Sequence, residues 1–83
     1  MTLEKAFGQV LRESRKQASF SQEALAFECE LDRTYISLLE RGLRQPTLKV
    51  LFKICSALKI APPDFVGKVW YLVSQGVAAK MSG

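Results

Sequence analysis

An all-α fold of five helices is what this sequence predicts, on three observations. Apolar residues recur at three- and four-residue spacing in five segments. Short polar cap residues, Gly and Pro punctuate those segments. No alternating run of the kind that makes a strand occurs between them. Eighty-three residues, 48% of them hydrophobic, suit a single domain spanning 1–83 with one core.

The elements follow in order. Helix 1 is expected from about Leu3 to Gln17 behind Thr2, whose hydroxyl can cap free amides. Leu3, Phe7, Val10, Leu11 and Ala18 share one face. Helix 2 begins after Ser21, a second hydroxyl cap, with Glu23 suiting the dipole in its first turn. Leu25, Ala26 and Cys29 face inward. Asp32 caps helix 3, which has Ile36 and Leu39 as its inward pair and ends at Gly42, a good residue for a left-handed stop. Thr47 caps helix 4, where Leu48, Leu51, Cys55 and Leu58 repeat at core spacing. Pro62 and Pro63 stop that helix and can open helix 5, expected from about Pro63 to Ser74 or a little beyond.

Helix 5 is apolar nearly all round. Phe65, Val69 and Leu72 form one stripe; Val66, Trp70, Val73 and Val77 form another. Four short helices cannot cover both, so the second stripe calls for a partner, and a two-fold homodimer is the simplest one. Residues from about 67 to 83 are therefore read as a dimerisation helix and tail.

Composition excludes several classes. There is no His, no C-x₂-C pair and no Gly-rich phosphate loop, and the Ser and Cys residues lack a base partner, so no catalytic residues, metal site or cofactor are assigned. Cys29 and Cys55 fall among apolar helical residues and are read as reduced core thiols. No apolar run approaches the roughly 20 residues of a membrane span, and no leader segment is evident, so a cytoplasmic location and no membrane partner are expected. Net charge is +4, unevenly spread. Residues 21–32 carry four acids and no base, whereas residues 33–53 carry Arg33, Arg41, Arg44, Lys49 and Lys53 against Glu40 alone. A basic block beginning where helix 3 begins is the footprint expected of a phosphate-binding face.

Within Ser21–Thr47, Gln22, Ala26, Ile36, Glu40, Gly42 and Pro46 stand at the spacing of a helix-turn-helix, the unit that lays its second helix in the DNA major groove. Three motifs extend this: S-Q-E-x-L-A at Ser21–Ala26, L-D-R-T-Y-I-S at Leu31–Ser37 and L-E-R-G-x-R-x-P-T-L at Leu39–Leu48. Over about Phe7 to Phe65 the chain resembles the Xre family of regulators, which includes the lambda and 434 repressors and Cro. The Leu31–Ser37 run is similar to the controller proteins of restriction–modification systems. The resemblance implies a lambda-repressor-like five-helix domain with helices 2 and 3 as DNA reader and the last helix as dimer contact. It implies that Gln22 contacts a phosphate and braces the first reading residue, and that Glu40 pairs with Arg15 of helix 1. Two departures stand out. Glu30 occupies the turn position where the family usually has Gly, and Ala24 stands where many relatives have Glu completing a capping box.

The helix 3 side chains fit base reading. Arg33 can reach guanine O6 and N7 with two donors, and Thr34 offers a hydroxyl and a methyl. Ser37 and Leu38 come next on the exposed face, with Leu38 suited to a thymine methyl. Tyr35, Arg41, Arg44 and Thr47 are the phosphate candidates beside Gln22, with Lys49 a further one. The expected function is a sequence-specific regulator acting as a homodimer on a two-fold operator of double-stranded DNA. RNA polymerase is an additional partner if it activates, through Glu23 and Glu28. A second reading is a protein-interaction module, an antitoxin or adaptor, that grips its partner with helix 5.

Overall fold

The first four helices each start where a short side chain satisfies a free amide. In the computed structural model, which describes residues 1–81 and their side chains as far as Gln75, five helices follow one another: α1 (Leu3–Gln17), α2 (Gln22–Cys29), α3 (Arg33–Glu40), α4 (Leu48–Leu58) and α5 (Pro62–Met81). Thr2, Ser21 and Thr47 accept from the amides of Lys5, Ala24 and Val50, and Asp32 accepts from that of Thr34 at 2.7 Å. With Ala24 in place of an acid, Ser21 caps α2 by itself.

The ends of α1 to α4 close alike. Phe20 N–H donates to Arg15 C=O, Leu31 to Ala26, Leu43 to Leu38 and Ile60 to Cys55, each at 2.8–3.1 Å. These Schellman closures place one left-handed residue apiece, at Ser19, Glu30, Gly42 and Lys59. Only one of the four is Gly. Glu30 holds φ +56°, so the turn keeps the geometry that glycine would make easy and an L-residue carries the strain, about 1 kcal/mol.

Packing crosses α1 over α3 and α5, α2 over α3 and α4, and α4 over α5. Leu11, Leu25, Ile36, Leu39, Ile54, Cys55 and Phe65 are fully buried at the centre, and the Phe7 and Phe65 rings meet at 5.4 Å with a 55° tilt. Gly8 sits at the α1–α3 crossing: a β-carbon there would lie 2.5 Å from the Glu40 carbonyl oxygen and 2.6 Å from that of Leu39. Both cysteines are free and buried, and burial pushes both thiols up from their ordinary range.

Four expectations are corrected here. Leu3 and Leu48 are exposed rather than inward. Each is the first residue of its helix, ahead of the turn where cover begins; Ile54, which the spacing did not single out, is fully buried. Ala18 is exposed because it caps the end of α1. Helix α5 opens at Pro62 and runs past Ser74 to Met81; Gly76 does not break it, since a mid-helix glycine costs only about 1 kcal/mol and Val77, Ala78 and Ala79 follow. Among the described residues no helix is long and apolar enough to cross a membrane.

Candidate nucleic-acid interface

Helix α3 is held from below by two fully buried side chains, Ile36 and Leu39, on the face that meets α1 and α2. Its opposite side is open at the start. Arg33 and Thr34 are exposed, while Ser37 and Leu38 are half-buried. Leu38 is thus less open than the sequence suggested. Tyr35 is half-buried with its ring packed against the core, which fixes the side chain on the flank of α3. Gln22, from the first turn of α2, joins Arg33, Thr34 and Ser37 around a shallow depression of about 150 Å³.

Beyond α3 the chain carries Arg41 and Arg44 on an exposed segment leading to Thr47 and Lys49, all of them exposed. The Thr47 hydroxyl oxygen accepts from Val50 N–H at 3.1 Å and keeps its own proton for a further acceptor. The one acid in residues 33–53, Glu40, is withdrawn from this surface. Its side chain is only 4% exposed, and Arg15 holds it by two hydrogen bonds, Nε to Oε2 and the second guanidinium nitrogen to Oε1 at 3.1 Å. The remaining end of Arg15 donates to the Phe20 carbonyl at 2.8 Å. The pair thereby ties α1, the turn before α2, and the end of α3. The cations of the surface are left with no acid of their own stretch to neutralise them.

Gln22 enters the same network. Its Nε2 donates to Glu40 Oε1 at 3.0 Å. One N–H of the amide is therefore committed inward, and its second N–H and its carbonyl oxygen are left for other partners. The cause is local: Glu40 has a lone pair that Arg15 leaves open, and Gln22 is the nearest donor able to fill it.

Helix α5 turns Phe65 and Val69 into the core and leaves Val66 46% and Trp70 57% exposed. Val73 is half-buried and packs partly on the core, so it belongs less fully to the outer stripe than its spacing suggested. Val77 lies outside the residues whose side chains are described. Tyr71, assigned to neither stripe, is exposed as well. Phe27 on α2 is 81% exposed, the largest exposure among the big apolar residues whose side chains are described, and the sequence pattern gave no hint of it.

A family model described as helix-turn-helix matches residues 11–65. Control protein C.BamHI of Bacillus amyloliquefaciens is 49% identical over 61 residues, 72% of this chain and 75% of that protein. The restriction-modification controller protein C.AhdI of Aeromonas hydrophila, a solved structure, is 44% identical over 74% of this chain and 92% of its own, with a TM-score of 0.71. The solved controller protein C.Esp1396I superposes with a TM-score of 0.79 at 32% identity, covering 88% of this chain and 94% of that one.

Proposed function

The chain belongs to the helix-turn-helix family, and from that premise we propose that it is a sequence-specific, cytoplasmic DNA-binding regulator of the restriction–modification controller type. The observation that carries this is the contrast around α3. Arg33 and Thr34 stand open beside Arg41, Arg44 and Lys49, while the only acid among them is locked under Arg15. Arg33, Thr34, Ser37 and Leu38 are assigned to base edges, where arginine reads guanine with two donors. Tyr35, Arg41, Arg44 and Thr47 are assigned to phosphates, and so is the start of α2 at Gln22, whose helix end attracts anions. Solved variants of C.Esp1396I are substituted at an adjacent threonine and tyrosine and at an arginine nine residues beyond the tyrosine; Thr34, Tyr35 and Arg44 repeat that spacing.

Val66 and Trp70, with Val73 at the margin and Val77 continuing the spacing, are assigned to a homodimer contact through α5. Two α3 helices would then meet half-sites about one helical turn apart, roughly 34 Å. Dimerisation and DNA binding are coupled by mass action, so the protein's own concentration sets occupancy. Occupying a promoter represses it. Activation would add a contact with RNA polymerase, for which Glu23, Phe27 and Glu28 supply exposed surface on α2.

Selection of bound duplexes from a random pool tests the reading. The expected product is a two-fold symmetric motif. Folded, dimeric protein that enriches no motif at low salt refutes it. Light scattering on the purified chain tests the α5 contact, with a homodimer expected and a monomer at micromolar concentration counting against it.

A further inference from the structure

Three cations of α1 have no part in the assignments above. Residues 1–20 carry four bases, Lys5, Arg12, Arg15 and Lys16. Arg15 is buried and taken up by Glu40 and the Phe20 carbonyl. The other three are exposed, and none of them makes an ion pair among the described residues. Arg12 and Lys16 follow Lys5 by seven and eleven residues, spacings that return to one side of a helix. At 1.5 Å per residue the row is roughly 16 Å long. Neither acid of α1 falls in it. Glu4 lines a small cavity with Phe7 and Val66, and Glu13 lines the cleft toward α5 with Asp64 and Lys68.

The row begins and ends beside the places where phosphates are assigned. A β-carbon on Gly42 would meet Lys5 Cγ at 2.8 Å and Lys5 Cα at 3.1 Å. Lys5 therefore lies directly over the turn that carries Arg41 and Arg44, both exposed. At the other end Arg15, the chain neighbour of Lys16, donates to the Phe20 carbonyl, two residues before Gln22 opens α2. The cationic surface of the turn after α3 thus continues onto α1 with Glu40, the acid nearest to it, buried beneath. We propose that Lys5, Arg12 and Lys16 form a second phosphate-binding edge, which takes the sugar–phosphate backbone of the same duplex that α3 reads. The inference rests on the DNA-binding reading above and extends it to a helix outside the helix-turn-helix. Contacts of this kind add affinity and fix orientation while carrying no sequence information.

The test is the salt dependence of binding to the selected duplex. The variant Lys5→Gln/Arg12→Gln/Lys16→Gln removes the row's charge and keeps good helix formers at all three positions. Each lost phosphate contact lowers the slope of log affinity against log salt by about 0.9, so the slope should fall by about two to three. Affinity should fall evenly on duplexes altered within the motif, and selection with the variant should return the wild-type motif. Ethylation of individual phosphates should reveal positions that block the wild type and no longer affect the variant. Lys59→Gln/Lys68→Gln is the control, because both residues line the cleft between α1 and α5, where no DNA contact is assigned; its slope should match the wild type. Lys5→Gln alone should lower the slope by about one, and it decides the question if circular dichroism shows the triple variant unfolded. An unchanged slope, or an equal fall per charge in the control, would overturn the proposal and leave the row as solvated surface. A changed motif would overturn it too, by making the row part of base readout. Wild-type protein that selects no motif removes the DNA-binding reading itself, whereas a motif bound equally well by wild type and triple variant removes this inference alone.

Discussion

Replacing Gly8 with Ala should destabilise the protein, although the same replacement usually stabilises a helix. Alanine gains up to about 1 kcal/mol over glycine in a helix interior. At Gly8 that gain meets backbone. The new β-carbon would lie 2.5 Å from the Glu40 carbonyl oxygen and 2.9 Å from its carbon, and ordinary contact begins at 3.4 Å. Helices α1 and α3 must therefore separate by roughly 0.9 Å at their crossing, and no flexible side chain can yield instead. Overpacking of this kind costs about 1–3 kcal/mol. The net expectation is a loss of about 1–2 kcal/mol, or a melting temperature roughly 5–15 °C lower for a domain of this size. Gly67 supplies the control, since a β-carbon there meets nothing within 4 Å in the middle of α5. Gly67→Ala should raise stability by up to about 1 kcal/mol. Thermal and urea unfolding followed by circular dichroism, at one fixed protein concentration, measures both. If Gly8→Ala is as stable as wild type or more so, the close crossing of α1 and α3 is wrong.

Three further outcomes are expected. Arg33→Ala should cost about 1–3 kcal/mol on the selected duplex and relax preference at one base pair, read by fluorescence titration against a panel of altered duplexes; a uniform loss across the panel would make Arg33 a phosphate contact. Arg44→Ala should weaken all duplexes evenly and lower the slope of log affinity against log salt by about one, and an unchanged slope would remove Arg44 from the interface. Trp70→Ala should shift sedimentation toward monomer before the fold is lost, because the ring is more than half exposed on one chain; a variant still dimeric at nanomolar concentration would place the contact elsewhere.

The helix starts were legible because capping chemistry is local. Thr2, Ser21, Asp32 and Thr47 each precede an apolar run and each accepts an amide hydrogen bond. The inward residues of α2 and α3 were legible too, since Leu25, Ala26, Cys29, Ile36 and Leu39 repeat at the period of a helix. Periodicity misled at first residues such as Leu3 and Leu48, because it gives a direction and says nothing of whether a neighbour reaches that far. The left-handed ends at Ser19 and Lys59 carried no local signal, being polar residues that occur anywhere on a surface. Gly8 was silent for a different reason: its requirement comes from Leu39 and Glu40, more than thirty residues away in the chain. At the interface, residue types announced the chemistry of Arg33 and Arg44. The commitment of Gln22 to Glu40 depends on which lone pair Arg15 leaves free, and only the assembled fold decides that.

The non-glycine helix ends have a practical consequence for anyone wishing to harden this protein. Ser19, Glu30 and Lys59 each hold a positive φ in a separate turn, and each is itself exposed. Glycine at each would relieve about 1 kcal/mol, and turns this far apart should respond independently. The triple replacement would then be a markedly more heat-resistant version of the same fold, obtained without touching a single interior side chain.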